Sequence, residues 1–131
     1  MIVPALFAST EGESLVASEA WFQGTAPRPL GGSVPFEQAA SSLPRSEERS
    51  PAVVVDCDSL SSHAFTENVL KRMRVRGRDI WFMTWIETAD DLFDAFNTTA
   101  EMVLGPYHAV ASDADLEDIY SVSDSFIPVL Y

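Results

Sequence analysis

"PAVVVDCDSL", Pro51 to Leu60, decides how this chain is read. Ala52 to Val55 are four consecutive apolar residues that run straight into Asp56-Cys57-Asp58. An unbroken apolar run of this kind predicts a strand buried on both faces, as in parallel sheets. Residues just past the carboxyl end of such a strand line the ligand site in α/β folds. Asp56 and Asp58 therefore stand either in a site or as caps on nearby backbone N–H groups and helix starts.

Toward the carboxyl terminus the pattern is regular. Phe65, Val69, Leu70 and Met73 are spaced as the apolar stripe of a helix that stops near Gly77. "DIWFMTWI", Asp79 to Ile86, predicts a heavily aromatic strand. Thr88 with Asp91 three residues on is a capping pattern, and Leu92, Phe93, Phe96 and Ala100 form the inner face of the helix it opens. Glu101 to Gly105 predicts a strand, Ser112 with Asp115 a second cap, Leu116, Ile119 and Tyr120 a short helix, and Phe126 to Tyr131 a last strand.

Toward the amino terminus, Met1 to Ala8 predicts the first strand. Residues 9–33, rich in Gly, Ser, Thr and Pro, predict a long loop, and such loops are functional or mobile in compact domains. Pro35 to Leu43 has the spacing of a short helix, and residues 44–51 read as a second loop. Alternating strands and helices predict a parallel sheet with right-handed crossovers. The expectation is an α/β fold of about five parallel strands, a single domain over residues 1–131 amounting to half of a (β/α)8 barrel. Half a barrel leaves two strand edges open, so self-association is expected.

A chain of 131 residues with 47% hydrophobic and 21% charged residues has the composition of a globular domain rather than a disordered one. No apolar stretch reaches the ~18 residues of a membrane span, and Met1 to Ala8 has neither a basic flank nor a small-residue cleavage site. These features predict a cytoplasmic protein without membrane contact. Cys57 is the one cysteine, and His63 lies far in sequence from His108, so no metal and no cofactor are expected. The net charge is −12, and Asp79 to Tyr131 holds eleven acids with no Lys or Arg, a surface that repels nucleic acid. The basic run Lys71 to Arg78 reads as the solvated carboxyl-terminal end of a helix.

Four colinear stretches carry a resemblance. "MIVPALFAS", "VVVDCDSL", "DIWFMTWIETADDLFDAF" and "MVLGPYHAVASDADLEDI" are similar in order and spacing to segments of the ProFAR isomerase of histidine biosynthesis and its ribulose-phosphate-binding barrel relatives. The resemblance implies an amino-terminal half-barrel in which Asp56 and Asp58 match the family's Asp-x-Asp. It also implies that the family's two catalytic aspartates fall on Phe7 and on or beside Tyr131, neither of which exchanges protons as a carboxylate does. Met83-Thr84-Trp85 occupy the place of the family's glycine run, where a Trp side chain blocks close approach of backbone N–H groups to phosphate; Gly105 alone persists.

These departures predict that isomerase activity is absent and that the chain is a non-catalytic binding or assembly module. A homodimer or a complementary half-barrel is the expected partner, with Trp81 or Trp85 and the carboxyl-terminal strand in the interface. The alternative is a small enzyme acting on a phosphorylated metabolite, with Asp56, Asp58, Thr84, Glu87, Gly105 and His108 as candidate ligand-binding residues at neighbouring strand ends. A hydrophobic strand ending in Asp-x-Asp also resembles haloacid-dehalogenase-type phosphatases. Against that stand Leu60, where Thr or Val is usual, and the only lysine, Lys71, on the very next helix.

Overall fold

The computed structural model describes residues 3–18, 20–23, 26–29, 33–43, 51–73, 78–96 and 100–130. Nine strands and five helices follow one another along these residues. The strands are β1 (Ala5–Glu11), β2 (Ser14–Ser18), β3 (Ala20–Gln23), β4 (Ala26–Pro29), β5 (Val34–Pro35), β6 (Ala52–Asp56), β7 (Ile80–Met83), β8 (Ala100–Pro106) and β9 (Phe126–Val129). The helices are α1 (Phe36–Ser41), α2 (Cys57–Ser62), α3 (Asn68–Arg72), α4 (Ala89–Phe96) and α5 (Asp113–Val122).

Seven strands form one sheet in the order β5-β2-β1-β6-β7-β8-β9, and β3 pairs with β4 in a separate two-stranded sheet. From β1 through β9 the five right-hand members are parallel and follow chain order without reversal. A doubly wound sheet reverses its order partway, whereas a (β/α)8 barrel adds strands in one direction. The fold is thus α/β with a seven-stranded, mostly parallel sheet, an arrangement compatible with half of a barrel.

The register explains where the core sits. Leu6, Val54, Phe82, Val103 and Phe126 align across the five parallel strands, and all are at most 7% exposed. Phe36 of α1 and Val69 and Leu70 of α3 pack on the β1-β6-β7 end of this row. Leu92 and Ala95 of α4 and Ile119 of α5 pack on the β8-β9 end. Side chains one position along face the opposite way, so Phe7, Val55, Met83, Leu104 and Ile127 make a row on the second face. There Val55 and Met83 are buried with Leu60 of α2, while Phe7, Val53 and Leu104 are half-buried around them.

Three expectations need correction. Phe93, expected on the inner face of α4, is 60% exposed because Leu92 and Ala95 take the core side, and Ala100, expected on the same face, opens β8 instead. Residues 9–33 are not one loop, because β1 runs on to Glu11 and turns through Gly12-Glu13 into β2, which pairs antiparallel along it from Phe7↔Ser18 to Glu11↔Ser14. Gly12 has φ 61 while Glu13 is not at positive φ, the combination a two-residue type II′ hairpin turn requires. The helix expected from Phe65 toward Gly77 is α3 alone, five residues long, preceded by α2, which starts directly at Cys57. His63 ends α2 in the left-handed conformation at φ 57, so the two short helices are not one. Residues 74–77 and 44–50, within the expected helix end and second loop, lie outside the described residues.

The sheet edges also differ from two open ladders. The flank of β1 is occupied by β2, and beyond it β5 is only two residues long and ends in Pro35. At the other side, the Val103 N–H reaches the Ser125 carbonyl at 3.0 Å. By strand alternation Ile127 and Val129 therefore turn their backbone groups to β8, and Phe126, Pro128 and Leu130 turn theirs outward. Pro128 thus removes an outward donor. A short edge strand and prolines on the rim are how natural sheets blunt their edges.

Candidate functional site

The carboxyl ends of β6 and β7 meet at a buried polar network. The valines of β6 favour extended structure, and Asp56 at its end becomes the N-cap of α2, its Oδ1 accepting the Ser59 N–H at 3.2 Å. Thr84, the first residue after β7, donates its hydroxyl to Asp56 Oδ2 at 3.2 Å. The Ser59 and Thr84 hydroxyls are 2.7 Å apart, Ser59 Oγ also lies 3.2 Å from the Asp56 carbonyl, and the Trp85 N–H donates to Ser59 Oγ at 3.2 Å. Asp56, Ser59 and Thr84 are all 0% exposed.

Burial dominates the electrostatics there. It pushes the Asp56 carboxyl up to about 6, against the opposing pull of hydrogen bonds from Ser59 and Thr84, and the like charge of Asp58 adds to the rise. Burial also pushes the Cys57 thiol up to about 12, helped by the two flanking carboxylates. Cys57 is a half-buried thiol with its Sγ 3.8 Å from the Val55 carbonyl, not an activated nucleophile.

Asp58 faces the other way. Its Oδ2 accepts both the N–H of Thr10 at 2.9 Å and the Thr10 hydroxyl at 2.7 Å. Since β6 lies between β1 and β7, the two carboxylates lash the first turn of α2 to both neighbours, Asp58 to β1 and Asp56 to the end of β7. The Asp-x-Asp pair is therefore divided rather than convergent.

Glu87 and His108 meet at Trp85 instead. The Trp85 indole N–H donates to Glu87 Oε1 at 2.8 Å. His108, exposed in the 3₁₀ turn Tyr107–Ala109, approaches the Trp85 ring edge-on with centroids 5.7 Å apart. His63 stacks flat on the same ring, 4.4 Å away with planes 3° apart. The Trp85 ring is buried (6% exposed), so it offers no docking surface. Gly105 serves packing: a Cβ there would come within 3.1 Å of the Phe126 ring and 3.3 Å of the Thr84 carbonyl oxygen.

Of the six candidates, Asp56 and Thr84 are in direct contact, Glu87 and His108 share Trp85, and Asp58 and Gly105 are engaged elsewhere. Sequence reasoning passed over Ser59 and His63 as site residues, and it expected Trp85 in an interface, where the structure buries it instead. The Asp56-x-x-Ser59 spacing was a capping signal for the first; nothing in sequence places two histidines 45 positions apart on one tryptophan.

An open pocket of about 220 Å³ lies between the 3₁₀ turn and α5, lined by Tyr107, His108, Val110, Ser112, Asp113 and Leu116 among others. Ser112 caps α5 by accepting the Asp115 N–H, and the carboxylates of Asp113 and Asp115 oppose an anion there. Among the described residues no group of three or more His, Cys, Asp or Glu is placed to hold a metal ion, and no helix is long and apolar enough to cross a membrane. Compared with protein-family models, curated proteins and solved structures, the chain finds no match.

Proposed function

We propose that this chain is a non-catalytic assembly module, a half-barrel related to the ProFAR isomerase barrels, that pairs with a second copy through the second face of its sheet. The observation that carries this reading is the face itself. Phe7, Val53, Trp81, Met102, Leu104 and Val129 are half-buried and Ile127 is exposed, so apolar side chains of this face reach the surface on each of the five parallel strands. Within it the Trp81 indole Nε1 is buried without a hydrogen-bond partner. Apolar side chains gathered on one face of a sheet are the kind of surface that marks interaction sites.

The charge distribution supports a second copy as the partner. Acids are concentrated on the helices that cover the first face, as in Asp90, Asp91 and Asp94 of α4 and Asp113, Asp115, Glu117 and Asp118 of α5. Two sheets packed face to face at about 10 Å keep those carboxylates on the outside. Blunted rims at Pro35 and Pro128 favour face packing over edge pairing. The lack of isomerase chemistry is supported by Phe7, an apolar side chain at the place of a family acid, and by Asp56 and Asp58, whose oxygens accept internal hydrogen bonds.

Sedimentation equilibrium at low and high salt tests the reading. A dimer is expected, tighter in high salt as the −12 charge is screened, and weakened at least about tenfold by Leu104→Glu. A strict monomer well above micromolar concentration in both salts overturns it. One observation favours the enzyme alternative: a buried carboxyl near 6 is the type of group used in acid–base chemistry. A melting temperature raised by phosphorylated sugars in the parent chain, and not in Asp56→Asn, would decide for that alternative.

A further inference from the structure

The strands that end a ladder differ in one respect. At the rims of the main sheet, β9 carries Pro128, and β5 carries Pro35 opposite Val16. In the separate β3–β4 ladder, β4 carries Pro27 and Pro29, whereas β3 carries no proline. A proline has no N–H, so Phe22↔Pro27 and Ala20↔Pro29 cannot exchange a pair of N–H···O bonds, and the bonded pairs are Trp21↔Arg28 and Gln23↔Ala26. The outer edge of β4 therefore falls on its prolines and offers no donor there. The outer edge of β3 offers the N–H and C=O of both Ala20 and Phe22. Among the described residues β3 pairs with β4 alone. Prolines blunt the other terminal strands, and β3 is left as a complete template for a further strand.

The position of the hairpin bears on its partner. Helix α2 lies on the second face, where Leu60 packs with Val55 and Met83, and β4 packs against α2. The hairpin thus stands at the margin of the face through which two copies are proposed to pair. A two-stranded hairpin is marginal in water by itself and gains from a helix packed on it and from a third strand. The edge of β3 is also its own complement. Run antiparallel to a second β3, Ala20 falls opposite the partner's Phe22 and Phe22 opposite the partner's Ala20, so every outward N–H and C=O on both copies is bonded. Trp21 then falls opposite the partner's Trp21 on the two-fold axis. Registers centred on Ala20 or Phe22 leave the other residue unbonded. The sheet so formed, β4-β3-β3-β4, ends on the proline-bearing strand at both sides, so growth stops at two copies.

We propose that the β3 strands of two copies pair antiparallel through the backbone of Ala20 and Phe22, a clasp that fixes the axis and register of the dimer. The clasp rests on the face-to-face dimer for its partner and adds what that face lacks. Apolar packing is non-directional, whereas a hydrogen-bonded strand pair admits one register.

The test combines backbone amide exchange with sedimentation equilibrium on the intact chain, at a concentration where the parent is dimeric and Leu104→Glu is monomeric. The amides of Ala20 and Phe22 are expected to exchange at least about tenfold more slowly in the parent than in Leu104→Glu. Ala20→Pro removes an outward donor and no bond within the hairpin, and it is expected to weaken the dimer at least about tenfold, whereas Ala20→Ser, which keeps the donor, leaves it unchanged. On a Cys57→Ser background, Trp21→Cys is expected to give a disulfide-linked dimer on mild oxidation. A parent dimer whose Ala20 and Phe22 amides exchange freely, or an Ala20→Pro dimer as tight as the parent, overturns the clasp and leaves face packing standing, because Leu104→Glu reports on the face. A monomeric parent overturns both. Protected amides without the Trp21→Cys cross-link assign the edge to another occupant and overturn the proposal too. Should Ala20→Pro not fold, the exchange rates and the cross-link decide.

Discussion

The Thr84 hydroxyl, at the end of β7, donates to Asp56 Oδ2, at the end of β6, across 3.2 Å in a site closed to solvent. The bond joins two neighbouring strands at the point where each leaves the sheet. Among the described residues the charge that acts on this carboxyl, Asp58, has the same sign, which sets the first prediction.

Asp56→Asn should stabilise the protein at neutral pH. In the folded chain the carboxyl is raised from 3.8 to about 6, so the folded state holds the proton more tightly than the unfolded one. The stability this group contributes is fully present below about 4 and is lost as pH rises through about 6, a loss on the order of 3 kcal/mol. Asn keeps the acceptor for Ser59 N–H and supplies an N–H for Thr84 Oγ1. The difference in unfolding free energy, variant minus parent, is expected to grow from pH 4 to pH 6.5 and then level off. Urea melts across that range check it, and a difference that shrinks with pH would be the opposite sign.

Asp58 should behave unlike Asp56. Its Oδ2 holds both donors of Thr10, so Asp58→Ala removes two bonds to a charged acceptor and leaves a backbone N–H without its partner. A cost of about 2 to 3 kcal/mol is expected, with Asp58→Asn costing less because one amide oxygen still accepts. Chemical denaturation at pH 7 measures both.

Cys57 should resist alkylation. With the thiol pushed from 9.0 up to about 12, its thiolate fraction at pH 8 is about a thousandfold below that of a free cysteine. Iodoacetamide labelling is expected to be slow in the folded chain and to reach the ordinary rate in denaturant.

Gly105→Ala should destabilise without touching any charge. The new Cβ meets the Phe126 ring at 3.1 Å and the Thr84 carbonyl at 3.3 Å, and backbone on one side leaves little room to yield. Overpacking of this kind costs about 1 to 3 kcal/mol. Pairing with Phe126→Leu, which withdraws the ring, should recover part of the loss in a double-mutant cycle.

Much of the fold was legible in the chain because it rests on local pattern. The run Ala52–Val55, the aromatic segment at Ile80–Met83 and the spacing of Leu92, Leu116 and Ile119 specify which elements form, though not the whole buried side of α4, where Phe93 is exposed and Ala95 is buried. The Ser112–Asp115 cap is local too, and it is present as read, with the Asp115 N–H on Ser112 Oγ at 3.2 Å. At the second expected cap, Asp91 reaches past Thr88 to the Glu87 N–H at 3.1 Å. The β1–β2 hairpin escaped notice because its only strong signal is Gly12, set among Ser, Thr and Glu that read equally well as loop.

What the sequence by itself determined, then, is the succession of the five parallel strands, four of the five α-helices and the placing of Asp56 and Asp58 at a strand's end. Only the tertiary structure decided what those carboxylates meet. Asp58 turns to a threonine 48 residues earlier and Asp56 to one 28 residues later, and two distant histidines come to rest on Trp85. Elements are chosen by interactions within a few residues, whereas a carboxyl's partners, and so its proton affinity, depend on which strands become neighbours and how deeply the sheet buries their ends.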